Sequence, residues 1–155
     1  MFARAHSITT METCKKARME ETLLRRDAAK MMVNFAINIL GKKADRTRKC
    51  EFTDLAGLTT EEQNYIKTAC ELGLMGLNGD GTPAALFNPA LPVDKVQFAV
   101  TLSRMLYGTT NNTTDACWYC KHIDALYDAK ILTTKTALFA PFIRVWAMLM
   151  LQRVK

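Results

Sequence analysis

The feature that most constrains this chain is a pattern it uses more than once. Phe87-Asn-Pro89 and Phe139-Ala-Pro141 each lead into a helix-forming run whose first turn carries a base, Lys95 in one and Arg144 in the other. Upstream of each lies a second matching run. Residues 66–75, IKTACELGLM, lie over 123–132, IDALYDAKIL, so that Ile66 meets Ile123, Ala69 meets Leu126 and Leu74 meets Ile131. Thr22-Leu-Leu-Arg-Arg-Asp-Ala-Ala repeats the second half of this unit, with Arg25 in the place of Lys95 and Arg144. Phe2-Ala-Arg-Ala-His-Ser-Ile-Thr-Thr reads as the tail of a first helix, with Ile8 at the place of Leu74. Such units cannot bury an apolar face alone and stack on one another. The pattern predicts one domain of three helix–loop–helix repeats: 1–45 with its first helix truncated, 50–108, and 115–155. The truncated opening predicts a piece of a longer protein.

Apolar spacing predicts helices over about Leu23–Leu40, Glu61–Leu72, Asp94 to Gly108, Ala116–Ala129 and Phe142–Arg153. Thr60 with Gln63, and Asp94 with Gln97, stand at capping-box spacing. Leu77-Asn-Gly-Asp-Gly-Thr82 has the composition of a tight turn, and 109–115 reads as a polar linker. Phe52, Phe87 and Phe139 are expected in the core. No strand pattern of useful length appears, so the fold class is mainly α. Hydrophobic residues at 49% and charged residues at 23% describe globular material. A net charge of +6 suits an anionic partner, but the acids are interspersed and give no support to nucleic acid. The longest apolar run, Val145–Leu151, is too short for membrane insertion, and the first sixteen residues hold no continuous apolar run of a secretion signal.

At these residues the chain resembles the S-layer homology (SLH) domain family, and its wording is similar to S-layer-like surface proteins of uncultured candidate-phylum bacteria. The family pattern is Phe-x-Asp, a helix ending in Gly-hydrophobic, a Gly/Asp loop, Phe-x-Pro, then Thr-Arg-Ala-Glu opening a second helix. Here the middle unit supplies Phe52-Thr-Asp54, Gly73-Leu74, Gly79-Asp-Gly81, Phe87-Asn-Pro89 and Asp94-Lys-Val-Gln97. The first unit supplies Leu24-Arg-Arg-Asp27, and the third Phe139-Ala-Pro141 with Ile143-Arg-Val-Trp146. The resemblance implies three repeats in a pseudo-threefold helical bundle. It also implies a non-catalytic module on the cell surface of a longer exported parent, binding anionic, often pyruvylated, cell-wall polysaccharide between repeats. The family's Arg pairs with the anionic sugar, because a guanidinium offers a planar fork to a carboxylate. Carried over by position, the binding candidates are Arg25, Lys95 and Arg144, with Asp27 and Gln97 in the acidic place. Asp54, Asp80 and Trp118 join them from the other motif positions. Lys95 keeps the charge without the fork, and Trp146 replaces the acid in the third unit.

No cofactor or metal is expected. Cys117-Trp-Tyr-Cys120 has no second ligand pair for zinc, and the Gly79-Asp80-Gly81 loop lacks the ligands of a calcium site. A Cys50–Cys70 or a Cys117–Cys120 disulfide stays open, given an exported parent. Two further functions stay open as well. One is a glycan- or ester-acting hydrolase on the same scaffold, with carboxylates such as Glu61/Glu62 or Asp54/Asp80. The other is a structural assembly module that associates with itself or another protein through repeat surfaces.

Overall fold

The computed structural model describes residues 12–13 and 15–154. The Phe2–Thr10 stretch, with His6, Ser7 and Ile8, lies outside them. Five helices form among the described residues: α1 Arg25–Asn38, α2 Thr60–Glu71, α3 Lys95–Tyr107, α4 Cys120–Asp128 and α5 Arg144–Gln152. Helix α1 packs on α2, α3 on α4, and α1 also touches α3. No strand forms among the described residues, only isolated bridges such as Leu24 with Pro92 and Asp94 with Pro141. The fold is mainly α.

The segments that enter α1, α3 and α5 meet head to tail. Val93 N–H donates to Leu23 O, Phe142 N–H to Val93 O, and Leu23 N–H to Phe142 O, each at 2.8 Å, which closes a ring. Two residues on, Arg25 donates to Leu91 O, Lys95 to Ala140 O and Arg144 to Glu21 O. Arg26, Val96 and Val145 donate in the same order to Pro89 O, Leu138 O and Met19 O. The first N–H groups of a helix have no partner inside it. Here each helix start is satisfied by the approach segment of the next, which ties three distant stretches of chain together. The turns before them also agree: Arg18, Asn88 and Ala137 have φ of 51°, 58° and 51°.

The ends of α2 and α4 correspond too. Leu74 and Met75 N–H both point to Ala69 O, and Ile131 and Leu132 N–H both point to Leu126 O. Gly73 and Lys130 turn the corner at φ 74° and 59°. Leu23, Val93 and Phe142 are buried at the ring, and Phe35, Phe87, Phe98, Leu126 and Leu151 fill the core around it.

Several local expectations change. The start of α2 is capped one residue earlier than Thr60 and Gln63: Thr59 Oγ1 accepts from Glu62 N–H and Glu62 Oε2 accepts from Thr59 N–H. Asp94 does cap α3 by accepting from Gln97 N–H, but the Gln97 side chain turns away to Arg25. Helix α4 starts at Cys120 rather than near Ala116, because a turn spans the preceding residues. Phe87 is wholly buried and Phe52 packs its edge on it at 5.5 Å, whereas Phe139 is 64% exposed. The ring explains this. It aligns Pro141 with Pro92, so Phe139-Ala-Pro141 is three residues out of register with Phe87-Asn-Pro89, and Phe142 takes the core place against Phe98.

Both open disulfides form. Cys50–Cys70 ties the segment before α2 to its last turn. Closing a loop of this size stabilises by about 3 kcal/mol. Cys117–Cys120 clasps the turn before α4. Gly76 is required twice over: its φ is 70°, and an added Cβ would lie 2.4 Å from Cζ of Phe52.

Candidate functional site

The three bases in the helix first turns each reach across a junction, and the three junctions differ in charge. At the α5–α1 junction Arg144 forms an ion pair with Asp27, and both are half-buried. At the α3–α5 junction Lys95 Nζ donates to Thr134 O, Thr134 Oγ1 and Thr136 O at 2.8–2.9 Å. All three ammonium hydrogens are used there, and burial lowers the Lys95 pKa. Exposed Trp146 and Arg153 border the same groove of about 320 Å³.

The α1–α3 junction is different. Arg25 Nε donates to Phe87 O at 2.7 Å and its Nη1 to Gln97 Oε1 at 2.9 Å. Its guanidinium also lies over the Phe87 ring, 5.0 Å from the centroid. Arg104, buried at 7% exposure, donates from Nε to Asn112 Oδ1 and from Nη2 to Asn78 O. Both arginines line one cavity of about 160 Å³, together with Gln97, Thr101 and Trp118. No carboxylate lines it, and neither arginine makes an ion pair among the described residues. Burial lowers the pKa of Arg25, with the charges of Asp94 and Asp54 opposing it. Burial pushes Arg104 down to about 10, with Asp80 opposing and Arg48 adding to the effect. Two guanidiniums partly or wholly out of water, on which Asp54, Asp94 and Asp80 act only from outside the cavity lining, make a site that favours an anion, since an incoming negative charge would offset the desolvation of both.

Of the residues singled out in the sequence, Arg25, Gln97 and Trp118 therefore come together. Lys95 and Arg144 stand at the other two junctions. Asp54 is occupied by the chain: its oxygens accept from Phe87 and Asn88 N–H and hold the Phe-Asn-Pro turn. Burial would raise its pKa, but those hydrogen bonds and Arg25 outweigh it and keep it lowered. Asp80 accepts from Thr82 N–H and Oγ1, chiefly the former, which lowers its pKa and organises the turn below Arg104. Arg104 has no counterpart in the sequence reading. The available signal is the spacing of Gln97, Thr101 and Arg104, which puts three polar groups on one stripe of an otherwise apolar helix.

Catalytic groupings are less well placed. Ser103 Oγ and His122 Nδ1 are 2.9 Å apart, but both residues are wholly buried and Asn111 also donates to the serine. A nucleophile must meet its substrate, and nothing reaches this one. Glu61 pairs with Lys30, and Glu62 is held by its cap and by Arg26. No helix among the described residues is long and apolar enough to cross a membrane.

Residues 51–99 match the family described as the S-layer homology domain. No curated protein matches the chain. The matched segment contains Asp54, Asp80, Lys95 and Gln97, and runs from the approach to α2 into the first turns of α3. Domains of this family generally bind cell-wall polymers. Residues 51–99 are thus an S-layer homology domain, the kind of module by which proteins attach to the cell surface.

Proposed function

We propose that the chain is a non-catalytic attachment module of three tandem S-layer homology repeats around a pseudo-threefold axis. In this reading it holds an anionic cell-wall polysaccharide at the α1–α3 junction. The repeat reading is supported by the closed ring of Leu23, Val93 and Phe142 and the matching turns before each helix. The observation that carries the binding reading is the pair of guanidiniums without a carboxylate partner in one cavity.

The departures from the family pattern explain why this junction is favoured. The acid of the first unit, Asp27, neutralises Arg144. Where the middle unit has Gln97 instead, Arg25 meets an amide oxygen and makes no ion pair among the described residues. Arg25 and Arg104 then supply hydrogen bonds to the acidic substituent of the glycan, and Trp118 an apolar wall for a sugar face.

The test is co-sedimentation with purified cell-wall sacculi. The protein should pellet with sacculi that retain their anionic polysaccharide and stay in the supernatant once that polymer is stripped. Equal pelleting with both preparations would remove the reading. Retention should also fall as salt is raised, as expected of a charge-carried contact.

A further inference from the structure

Cys117 and Cys120 form the disulfide that the attachment reading leaves unused, and the residue between them that lines the cavity is Trp118. The two disulfides differ in access. Cys50 and Cys70 are buried at 5% and 0% exposure, whereas Cys120 is exposed and Cys117 half-buried. The clasp also holds the start of a helix that has no side-chain cap. Helix α4 starts after Tyr119, whose side chain makes no cap hydrogen bond, and the first turn is pinned by the Cys117–Cys120 bond.

Trp118 is held between that clasp and the middle unit's turn. A Cβ added at Gly79 would lie 3.0 Å from Trp118 Cβ. On its other side, Tyr119 packs its edge on Trp118 and on the exposed Phe139, at 5.6 and 5.4 Å. The turn carrying Trp118 thus depends on one covalent bond between an exposed and a half-buried cysteine and on aromatic contacts partly open to water.

We infer that Cys117–Cys120 is a thiol–disulfide exchange site whose redox state sets the position of Trp118 and, through it, the affinity of the Arg25–Arg104 cavity. The second half of this rests on the attachment reading. The co-reactant is a dithiol. One of its thiolates attacks the sulfur of Cys120, the more exposed residue of the pair, the S–S bond breaks, and Cys117 leaves as a thiolate that takes up a proton. The second thiolate of the dithiol then attacks the mixed disulfide. Cys120 is released as a thiol and the dithiol leaves as its disulfide, so two electrons and two protons have moved to the protein. Access directs the attack to this bond and spares Cys50–Cys70. With the clasp open, a helix of nine residues without a side-chain cap frays at its start and Trp118 leaves the cavity wall.

The experiment reduces the folded protein with a small dithiol in native buffer, alkylates it and maps the labelled cysteines by peptide mass. A Trp146→Phe background makes fluorescence report Trp118 alone among the tryptophans. The expected result is labelling of Cys117 and Cys120 while Cys50 and Cys70 stay bridged. Trp118 emission should shift, and retention on purified anionic cell-wall polysaccharide should fall by about tenfold, restored on reoxidation. A Cys117→Ser/Cys120→Ser variant should reproduce the reduced state without reductant. Labelling of Cys50 and Cys70 together with Cys117 and Cys120, or labelling of the Cys117–Cys120 pair with emission and retention unchanged, would overturn the inference. If the oxidised protein itself is not retained, the attachment reading fails, while thiol mapping and Trp118 emission still decide whether the exchange site exists.

Discussion

Phe87→Ala should be among the most damaging single substitutions in the chain, lowering stability by about 3–5 kcal/mol. The ring is wholly buried, Phe52 packs its edge against it, and the Arg25 guanidinium lies over its face. Its backbone is committed as well: Phe87 N–H donates to Asp54 and Phe87 O accepts from Arg25. Truncation therefore leaves a cavity and loosens the wall on which Arg25 is positioned. Urea unfolding gives the stability loss from the shift in midpoint. Polysaccharide retention of the variant that is still folded should fall with it. A loss below about 1 kcal/mol would mean the pocket collapses and that Phe87 does not brace the cavity.

His122 should make the fold acid-sensitive above the range where carboxylates titrate. The imidazole is wholly buried on α4 facing α3, with Nδ1 on Ser103 Oγ and Nε2 without a partner among the described residues. Burial, with the nearby Arg104 charge adding to it, lowers its pKa from 6.5 to about 4. Between those values the unfolded chain binds a proton that the folded chain refuses. The stability is therefore fully present above pH 6.5 and is lost as pH falls toward 4. The gap corresponds to about 3 kcal/mol at most. Asp54, Glu62 and Asp80 have lowered pKa values and add their own loss only at lower pH, while Asp94, raised by burial, acts in the opposite sense. Urea midpoints measured from pH 7.5 to about 4.5 should fall steeply for the wild type. They should fall much less for His122→Gln, and parallel curves for the two proteins would contradict this account of His122.

How much of this was legible in the sequence depends on how local each feature is. Helix positions follow from apolar spacing, and the alignment of 66–75 on 123–132 predicted two helix ends that share the same hydrogen bonds. Even Lys130, which lacks the freedom of Gly73, adopts the same left-handed turn. Register across distant loops was harder. The Phe139-Ala-Pro141 match misled by three residues, because the ring is set by backbone pairing with Val93, which no local motif records. The cap of α2 moved to Thr59 because two adjacent threonines offer the same chemistry, and the Glu at 62 completes the box where Gln63 does not.

The site was half legible for the same reason. Arg25, Gln97 and Trp118 follow from motif positions. Arg104 reads as an ordinary basic residue late in a helix, and its burial exists only because Asn78 and Asn112, on two separate loops, close over it. Charge matching is also a property of pairs. That Asp27 neutralises Arg144 while Gln97 leaves Arg25 charged depends on which helix start faces which, and this follows from the closed ring.

The most direct measurement of the central claim is calorimetric titration of purified anionic cell-wall polysaccharide into wild type, Arg25→Gln, Arg104→Gln and Arg144→Gln. Circular dichroism and thermal unfolding would establish that each variant is folded. Loss of a charged hydrogen-bonding group costs about 1.5–3 kcal/mol, or roughly 10- to 100-fold in affinity. The account predicts that loss for Arg25→Gln and Arg104→Gln, and a change within about threefold for Arg144→Gln, whose guanidinium is already matched by Asp27. Binding that survives the first two substitutions, or that depends chiefly on Arg144, would contradict it.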